Sequence, residues 1–147
     1  MKKIGFLALI SVICWVAPAG AKMMSVGKEK VNVRSGPSLQ SGVLYQAPLG
    51  YPLQVVENQG KWARFKDWEG NSGWVYRPLL SKIHTVVVSA NNPNIRQGPG
   101  LRNKVVMQAN RGDIFKVLGK RGNWVKLGYY YSGDVVGWIR NDLVWGD

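Results

Sequence analysis

The chain has 147 residues, which allows one domain or two small ones. It carries 20 Lys and Arg against eight Asp and Glu, a net charge of +12 that attracts polyanions. With one cysteine, one histidine and scattered acidic residues, it has little material for catalysis or metal binding, so we expect no enzyme, no metal site and no cofactor.

The first 21 residues have the pattern of a signal peptide. Lys2 and Lys3 precede an apolar run over residues 4–16, and APAGA supplies the small residues of a cleavage site ending at Ala21. The 13-residue run is too short to cross a bilayer, which takes about 20 residues. We therefore expect an exported chain without a stable membrane span. The periplasm is the preferred compartment, and secretion is the alternative.

Cleavage would leave 18 basic and eight acidic residues, a net charge of +10 spread evenly over both halves. Because the protein is expected to be exported, we expect no nucleic-acid partner. The positive charge could instead serve only to keep the protein soluble. The one cysteine, Cys14, lies in the signal peptide, so no disulfide is available. Halves of about 60 residues are marginal alone, and we expect contact between them.

The mature chain contains one pattern twice. VNVRSGPSLQSGVLYQ at residues 31–46 returns as PNIRQGPGLRNKVVMQ at residues 93–108, a register of 62 residues. The pair Gly73-Trp74 returns as Gly137-Trp138, at an offset of 64 residues. The second copy therefore has two additional residues before this pair. Two copies are too few for a solenoid. We expect two tandem domains, residues 22–82 and 83–147.

Each copy is predicted to consist of short strands separated by turns. The alternating runs are VNVR, PLQVVE, WARFK and GWVY in the first copy and HTVVVS, DIFKVLGK, WVKLG and GWIR in the second. Clusters of Gly, Pro, Asn and Asp separate them, which is typical of an all-β barrel or sandwich. RPLLS and RNDLV each predict a 3₁₀ turn. The short connection between the copies predicts two closely connected domains.

Together these motifs resemble the bacterial SH3-like domain family. The resemblance rests on N-x-R-x-G-P, Gly-x-Trp and Gly-Trp-Val or Gly-Trp-Ile, and it extends over about residues 26–146. It implies an all-β fold of two tandem SH3-like barrels, each with five to six short strands. Bacterial SH3-like domains commonly accompany cell-wall hydrolases as targeting modules for peptidoglycan or its peptides, and the resemblance implies a binding role of this kind.

Residues that match between the copies are assigned mainly to structure. Glycine permits positive φ and proline fixes φ, so we expect two Gly-Pro pairs to shape the loop after the N-x-R strand: Gly36-Pro37 and Gly98-Pro99. Four matched tryptophans are expected in the cores or half-buried beside them: Trp62, Trp74, Trp124 and Trp138. Arg34 and Arg96 precede the Gly-Pro turns. Either their guanidinium groups hold the loop through backbone carbonyls, or they contact an anionic ligand.

The aromatic residues in which the copies differ are the preferred ligand-binding candidates, together with Arg34 and Arg96. They are Trp68 in KDWEGNSG and Tyr129, Tyr130 and Tyr131 in GYYYSGDVVG. Aromatic side chains on a loop tip suit sugar rings or extended peptides. Alternate residues of a strand face opposite ways, so at least one of the three tyrosines is expected to pack inward. Tyr45, Tyr51 and Tyr76 are further candidates.

We predict a non-catalytic binding module of the cell envelope. Its ligand would be peptidoglycan, an acidic envelope polymer or an extended peptide of an envelope protein. The alternative is a structural or assembly scaffold that docks a partner protein or associates with itself. The sequence leaves open the oligomeric state and whether one or both copies bind. The lone His84 is assigned to structure, and the Arg-Gly-Asp tripeptide at residues 111–113 to turn chemistry.

Overall fold

The computed structural model describes residues 20–147. Within that range every strand belongs to one of two seven-stranded antiparallel sheets, which confirms the all-β prediction. The predicted signal peptide lies outside the described residues, apart from Gly20 and Ala21. Across residues 20–147 we find no helix with the length and apolar character needed to span a membrane.

The first sheet is built from residues 22–81. Its strands are β1 (Lys22–Val26), β2 (Val31–Arg34), β3 (Val43–Ala47), β4 (Pro52–Gln59), β5 (Trp62–Lys66), β6 (Ser72–Tyr76) and β7 (Leu80–Ser81). They lie side by side in the order β3-β2-β6-β5-β4-β1-β7. The bounds of 22–82 and 83–147 for the two domains stay predictions.

The second sheet repeats the first, strand for strand. Its strands are β8 (Thr85–Val88), β9 (Asn94–Arg96), β10 (Val105–Gln108), β11 (Ile114–Arg121), β12 (Trp124–Gly128), β13 (Val135–Arg140) and β14 (Val144–Trp145). Their order is β10-β9-β13-β12-β11-β8-β14, which is the first order with each number raised by seven. The duplicated sequence therefore encodes a duplicated topology.

Each sheet has seven strands, where five to six were predicted. The additional strands, β7 and β14, are two residues long and pair with β1 and β8. A two-residue strand has no alternation of apolar and polar residues, so it gives no signal in the sequence. The predicted 3₁₀ turns are confirmed at Arg77–Leu79 and Asn141–Leu143.

Each sheet encloses one mainly aliphatic core. Matched positions of the two copies fill both cores, among them Val33 and Ile95, Phe65 and Leu127, and Val75 and Ile139. The four matched tryptophans are half-buried, and none belongs to either core. They are therefore free to contribute to the surface, and their placement is described below.

The glycine of each Gly-Trp motif allows the closing strand to lie against the strand that carries the N-x-R motif. A Cβ added at Gly73 would lie 2.4 Å from Cγ1 of the core residue Val33. At Gly137 it would lie 2.6 Å from Cγ2 of Ile95, again a core residue. Only glycine leaves room for this close packing, which explains why both copies have it.

Candidate functional site

A groove lies at the same place on each sheet, and matched positions of the repeat line both. Groove 1, on the first sheet, has a volume of about 480 Å³, and groove 2, on the second, has a volume of about 180 Å³. Five pairs of identical residues line the two: Asn32 and Asn94, Arg34 and Arg96, Leu39 and Leu101, Trp62 and Trp124, and Leu79 and Leu143. The repeat thus duplicates a surface feature as well as a core.

One wall of groove 1 is an aromatic pair. Trp62 at the start of β5 lies opposite Tyr76 at the end of β6, and their ring centroids are 5.6 Å apart with planes tilted by 58°. Flat aromatic faces next to polar groups suit sugar rings or extended peptides. In groove 2 Arg140 replaces the tyrosine opposite Trp124 and forms a two-pronged ion pair with Asp142, at 2.6 and 2.7 Å. The two grooves therefore differ in chemistry.

The arginine of the N-x-R motif holds the first loop of its sheet closed. Arg34 Nη1 donates hydrogen bonds to the carbonyl oxygens of Leu39 and Ser41, at 3.0 and 2.9 Å. Arg96 Nη1 makes the matched bonds to Leu101 and Asn103, both at 3.0 Å. These contacts fit the structural alternative for both arginines. Since both side chains also line the grooves, a contact with a ligand stays a prediction.

The glycines of the Gly-Pro turns in the same loops do not supply the positive φ that was predicted for them. The glycines at positive φ include neither Gly36 nor Gly98. Instead, a Cβ at Gly36 would lie 2.7 Å from Ser41 Oγ, and one at Gly98 would lie 2.6 Å from Asn103 Oδ1. The loop thus folds back so that the side chain at its far end packs on the glycine, although that side chain could shift to admit a Cβ.

Groove 1 has a basic turn that groove 2 lacks. Lys28, Glu29 and Lys30, just before β2, line groove 1. In the register of the repeat, the second copy has Ala90, Asn91 and Asn92 at these positions. Sequence reasoning missed this turn. The signal was available, because the aligned segments differ by three charged residues.

Leu39 and Leu101 are a second feature that the sequence reasoning noted as matched but did not assign. They are 69% and 67% exposed, on the first loop of each copy. A core does not require an exposed leucine, so its presence in both copies is better explained by the groove surface. The usable signal was an identical apolar residue in a predicted loop.

Two of the unmatched aromatic residues, Trp68 and Tyr130, line neither groove and lie at the contact between the two halves of the chain. The guanidinium carbon of Arg111 lies 4.9 Å from the centre of the Trp68 ring. Tyr130 lies against the backbone of Gly50, where an added Cβ would be 3.0 Å from Tyr130 Cδ2. Both aromatic side chains are half-buried. The contact thus accounts for two of the four unmatched aromatic residues proposed as ligand contacts.

The three consecutive tyrosines occupy a turn rather than a strand, because β12 ends at Gly128 and β13 begins at Val135. Alternation along a strand therefore does not decide their directions. Tyr130 is half-buried against the other half of the chain rather than in the core of its own copy. Tyr129 is 53% and Tyr131 is 79% exposed. The Tyr131 hydroxyl donates to a Glu29 carboxylate oxygen at 3.3 Å, across to the wall of groove 1.

Two buried hydroxyl groups strengthen the contact between the halves. Thr85 Oγ1 donates to the carbonyl oxygen of Gly50 at 2.6 Å, and Ser25 Oγ donates to that of Ile83 at 2.7 Å. Arg111, the arginine of the Arg-Gly-Asp tripeptide, also donates to the Ser89 carbonyl oxygen. The tripeptide is therefore engaged in turn and contact structure, as expected for a chance match.

A buried carboxylate organises the hairpin that carries Trp68. Asp67 accepts hydrogen bonds from the hydroxyl groups of Tyr45 and Tyr51, at 3.1 and 2.9 Å, and from the backbone N–H groups of Glu69 and Asn71. Burial and the neighbouring Asp67 carboxylate raise the pKa of both tyrosines above the ordinary range. Tyr45 and Tyr51 thus act in structure.

Among residues 20–147 there is no group of three or more His, Cys, Asp or Glu side chains that could hold a metal ion. His84 donates from Nε2 to the Gly146 carbonyl oxygen at 2.6 Å. This bond joins the start of the second half to its end, and it gives His84 a structural role.

Comparison with known families identifies both halves. Two family models, each described as a bacterial SH3 domain, match the chain at residues 27–82 and 91–144. A curated protein of Bacillus subtilis (strain 168), named putative N-acetylmuramoyl-L-alanine amidase YrvJ, is 25% identical over 130 residues. The match covers 81% of this chain and 24% of that protein, so the chain spans about a quarter of the length of its relative.

Solved structures are similar at a lower level. NlpC2 from Trichomonas vaginalis is 16% identical, with a TM-score of 0.38 over 84% of this chain and 47% of that one. An NlpC/P60 family protein from Bacillus cereus ATCC 10987 is 12% identical, with a TM-score of 0.40 over 84% of this chain and 55% of that one. At these TM-scores the similarity carries no argument about function.

Proposed function

The chain belongs to the bacterial SH3 domain family, with two such domains in tandem, and from that premise we propose that it is a non-catalytic module that binds the cell wall. The name of its curated relative, putative N-acetylmuramoyl-L-alanine amidase, supports the proposal. The matched region is a quarter of that relative, so we assign this chain a role in binding and no turnover.

The observation that carries the proposal is the repeated groove. Five identical residue pairs line both grooves, and they include an exposed leucine and a half-buried tryptophan in each. Folding alone does not require these surface residues to match. Their combination of a flat aromatic face, an apolar loop residue and an arginine suits a glycan or an extended peptide that carries a carboxylate.

We place the protein in the cell envelope or outside the cell, with the periplasm as the preferred compartment. The predicted signal peptide and the bacterial SH3 domains support this placement. The net charge of +10 after signal cleavage favours retention near acidic envelope polymers.

Sedimentation with insoluble peptidoglycan tests the proposal. Wild-type protein should pellet at both low and moderate salt, and the double variant Trp62→Ala, Trp124→Ala should lose most of this binding. Trp138→Ala is the control, because Trp138 is also half-buried and matched in the repeat but lines neither groove. Failure of the wild-type protein to pellet at either salt would reject wall binding. Pelleting at low salt alone would mean that the binding is non-specific attraction by the net positive charge.

A scaffold that docks a partner protein is the second candidate, and a matched set of exposed apolar residues favours it. These residues lie on the first loop and edge strand of each sheet: Leu39, Val43 and Leu44 in the first, and Leu101, Val105 and Val106 in the second. A β-bulge falls at Leu44 and at Val106, which disfavours docking by simple strand addition. Mass in solution and affinity capture from envelope extracts separate this candidate from wall binding.

A further inference from the structure

The basic turn before β2 makes the two grooves unequal. Lys28 and Lys30 line groove 1 together with Arg34, whereas the aligned turn of the second copy, Ala90 to Asn92, has no charge. Groove 1 is also the larger, at about 480 Å³ against about 180 Å³. The two grooves therefore differ in the charge of their lining as well as in volume.

The backbone conformation at position 30 favours asparagine over lysine. Lys30 has φ of 51°, and the matched Asn92 has φ of 46°. Asparagine visits this left-handed region readily, whereas lysine does so at a cost. An asparagine at position 30 would suit the backbone better, so the lysine is better explained by what its ammonium group does in groove 1.

The cations of the turn are available to a ligand. Within the part of the chain that the structure describes, neither Lys28 nor Lys30 lies within 4.0 Å of a carboxylate oxygen. Their neighbour Glu29 instead accepts a hydrogen bond from Tyr131 of the second half. In groove 2 the cation that faces Trp124, Arg140, is already paired with Asp142. The arginine of the N-x-R motif is bonded to loop carbonyls in both grooves, so the difference between the grooves is the two lysines that groove 1 adds.

We propose that groove 1 is an anion-selective site, in which Lys28 and Lys30 bind a carboxylate or phosphate group while Trp62 and Tyr76 bind the adjoining sugar ring or apolar part of the same chain. The occupant is thus an acidic polymer of the envelope rather than a neutral glycan. Groove 2 takes the same chain more weakly or not at all. The inference rests on the proposed wall binding and adds to it the chemical class of the ligand and the inequality of the two grooves.

The test transfers the uncharged residues of the second copy into the first. The double variant Lys28→Ala, Lys30→Asn copies Ala90 and Asn92 and removes two positive charges. The control Lys66→Ala, Lys104→Ala also removes two charges, from exposed lysines that line neither groove. Both double variants should melt at or near the wild-type temperature, because Asn tolerates the left-handed backbone and the control sites are exposed.

Binding is measured with full-length protein on two preparations of insoluble peptidoglycan, one retaining its phosphate polymers and one stripped of them. The groove variant should bind about tenfold more weakly than the control, since two partly exposed ion pairs contribute roughly that much. A deficit confined to the unstripped wall identifies a phosphate ligand, and a deficit on both identifies carboxylates of the peptide. Equal affinity of the two variants on both preparations would overturn the proposal while leaving wall binding intact. Loss of wild-type pelleting would instead reject the proposed function itself.

Discussion

The ring of Tyr130 lies against the backbone of Gly50 and so joins the two halves of the chain. A Cβ added at Gly50 would lie 3.0 Å from Tyr130 Cδ2 and 3.2 Å from Ile114 Cγ2, both in the second half. At Gly112, the matched glycine of the second copy, the same Cβ would meet nothing within 4 Å. Gly112 therefore serves only its turn, whereas Gly50 serves its turn and also the contact between the two halves.

This difference predicts unequal effects of the same substitution. Gly50 and Gly112 have φ of 78° and 92°, so alanine at either site costs about 1–2 kcal/mol in backbone strain. Gly50→Ala must also displace Tyr130, and overpacking typically costs about 1–3 kcal/mol more. We expect urea denaturation to show a larger loss of unfolding free energy for Gly50→Ala than for Gly112→Ala. Equal losses would mean that Tyr130 moves aside for the added Cβ without measurable cost, which would contradict tight packing at this contact.

The buried bond from Thr85 to Gly50 gives an independent prediction on the same contact. Thr85→Val keeps the shape of the side chain but removes the donor at 2.6 Å from the Gly50 carbonyl oxygen. Leaving that oxygen unpaired should lower the unfolding free energy by about 1–3 kcal/mol. Ser35→Ala, at an exposed position, is the control and should change it little. An unchanged urea midpoint for Thr85→Val would contradict the assigned role.

The tyrosines on Asp67 predict loss of stability in alkali. Burial and the Asp67 carboxylate raise the pKa of Tyr51 in the folded state, so folding favours the protonated phenol. The corresponding stabilisation is complete below the unfolded pKa of about 10 and is lost as the pH rises above it. Unfolding free energies between pH 8 and pH 11 should fall less steeply for Tyr51→Phe than for wild type.

At pH 8 the same variant should be less stable than wild type by about 1–3 kcal/mol, because a hydrogen bond to a buried charged acceptor is lost. Tyr129→Phe, at an exposed position in the second half, serves as the control for removal of a hydroxyl group. If Tyr51→Phe and the control show the same pH dependence as wild type, the bond from Tyr51 to Asp67 does not stabilise the fold.

The strands could be predicted from the sequence because alternation is a local property, and the duplication could be predicted because the two copies align directly. Alternating runs such as WARFK and WVKLG give strands, and matched turns give the register. The grooves could not be predicted in this way. Trp62 and Leu39 meet there only because β6, late in the sequence, lies between β2 and β5 in the sheet. Such neighbours depend on strand order, which a local pattern does not determine.

The unmatched aromatic residues show a different limit. The sequence correctly marks Trp68 and Tyr130 as places where the copies differ, and the ligand interpretation follows from that difference. Two copies joined in tandem also contact each other, however, and residues at that contact can differ between the copies. Asymmetry that serves this contact has the same appearance in a sequence as asymmetry that serves a ligand. Only the position of Arg111 over Trp68 and of Tyr130 on Gly50 separates the two.

The matched arginines allow the structural and ligand roles of the first loop to be separated. Arg34→Lys and Arg96→Lys each remove a guanidinium that bridges two loop carbonyls, and a lysine cannot reproduce that planar geometry. If the arginines act only in structure, both variants should lose about 1–2 kcal/mol of unfolding free energy, because the bonds are the same in both copies.

Peptidoglycan binding should then fall by a similar factor in both. A larger fall for Arg34→Lys at equal stability loss would assign Arg34 a direct contact with the ligand in groove 1, where Lys28 and Lys30 already concentrate positive charge. Unchanged stability in both variants would contradict the role of the arginines in holding the loop.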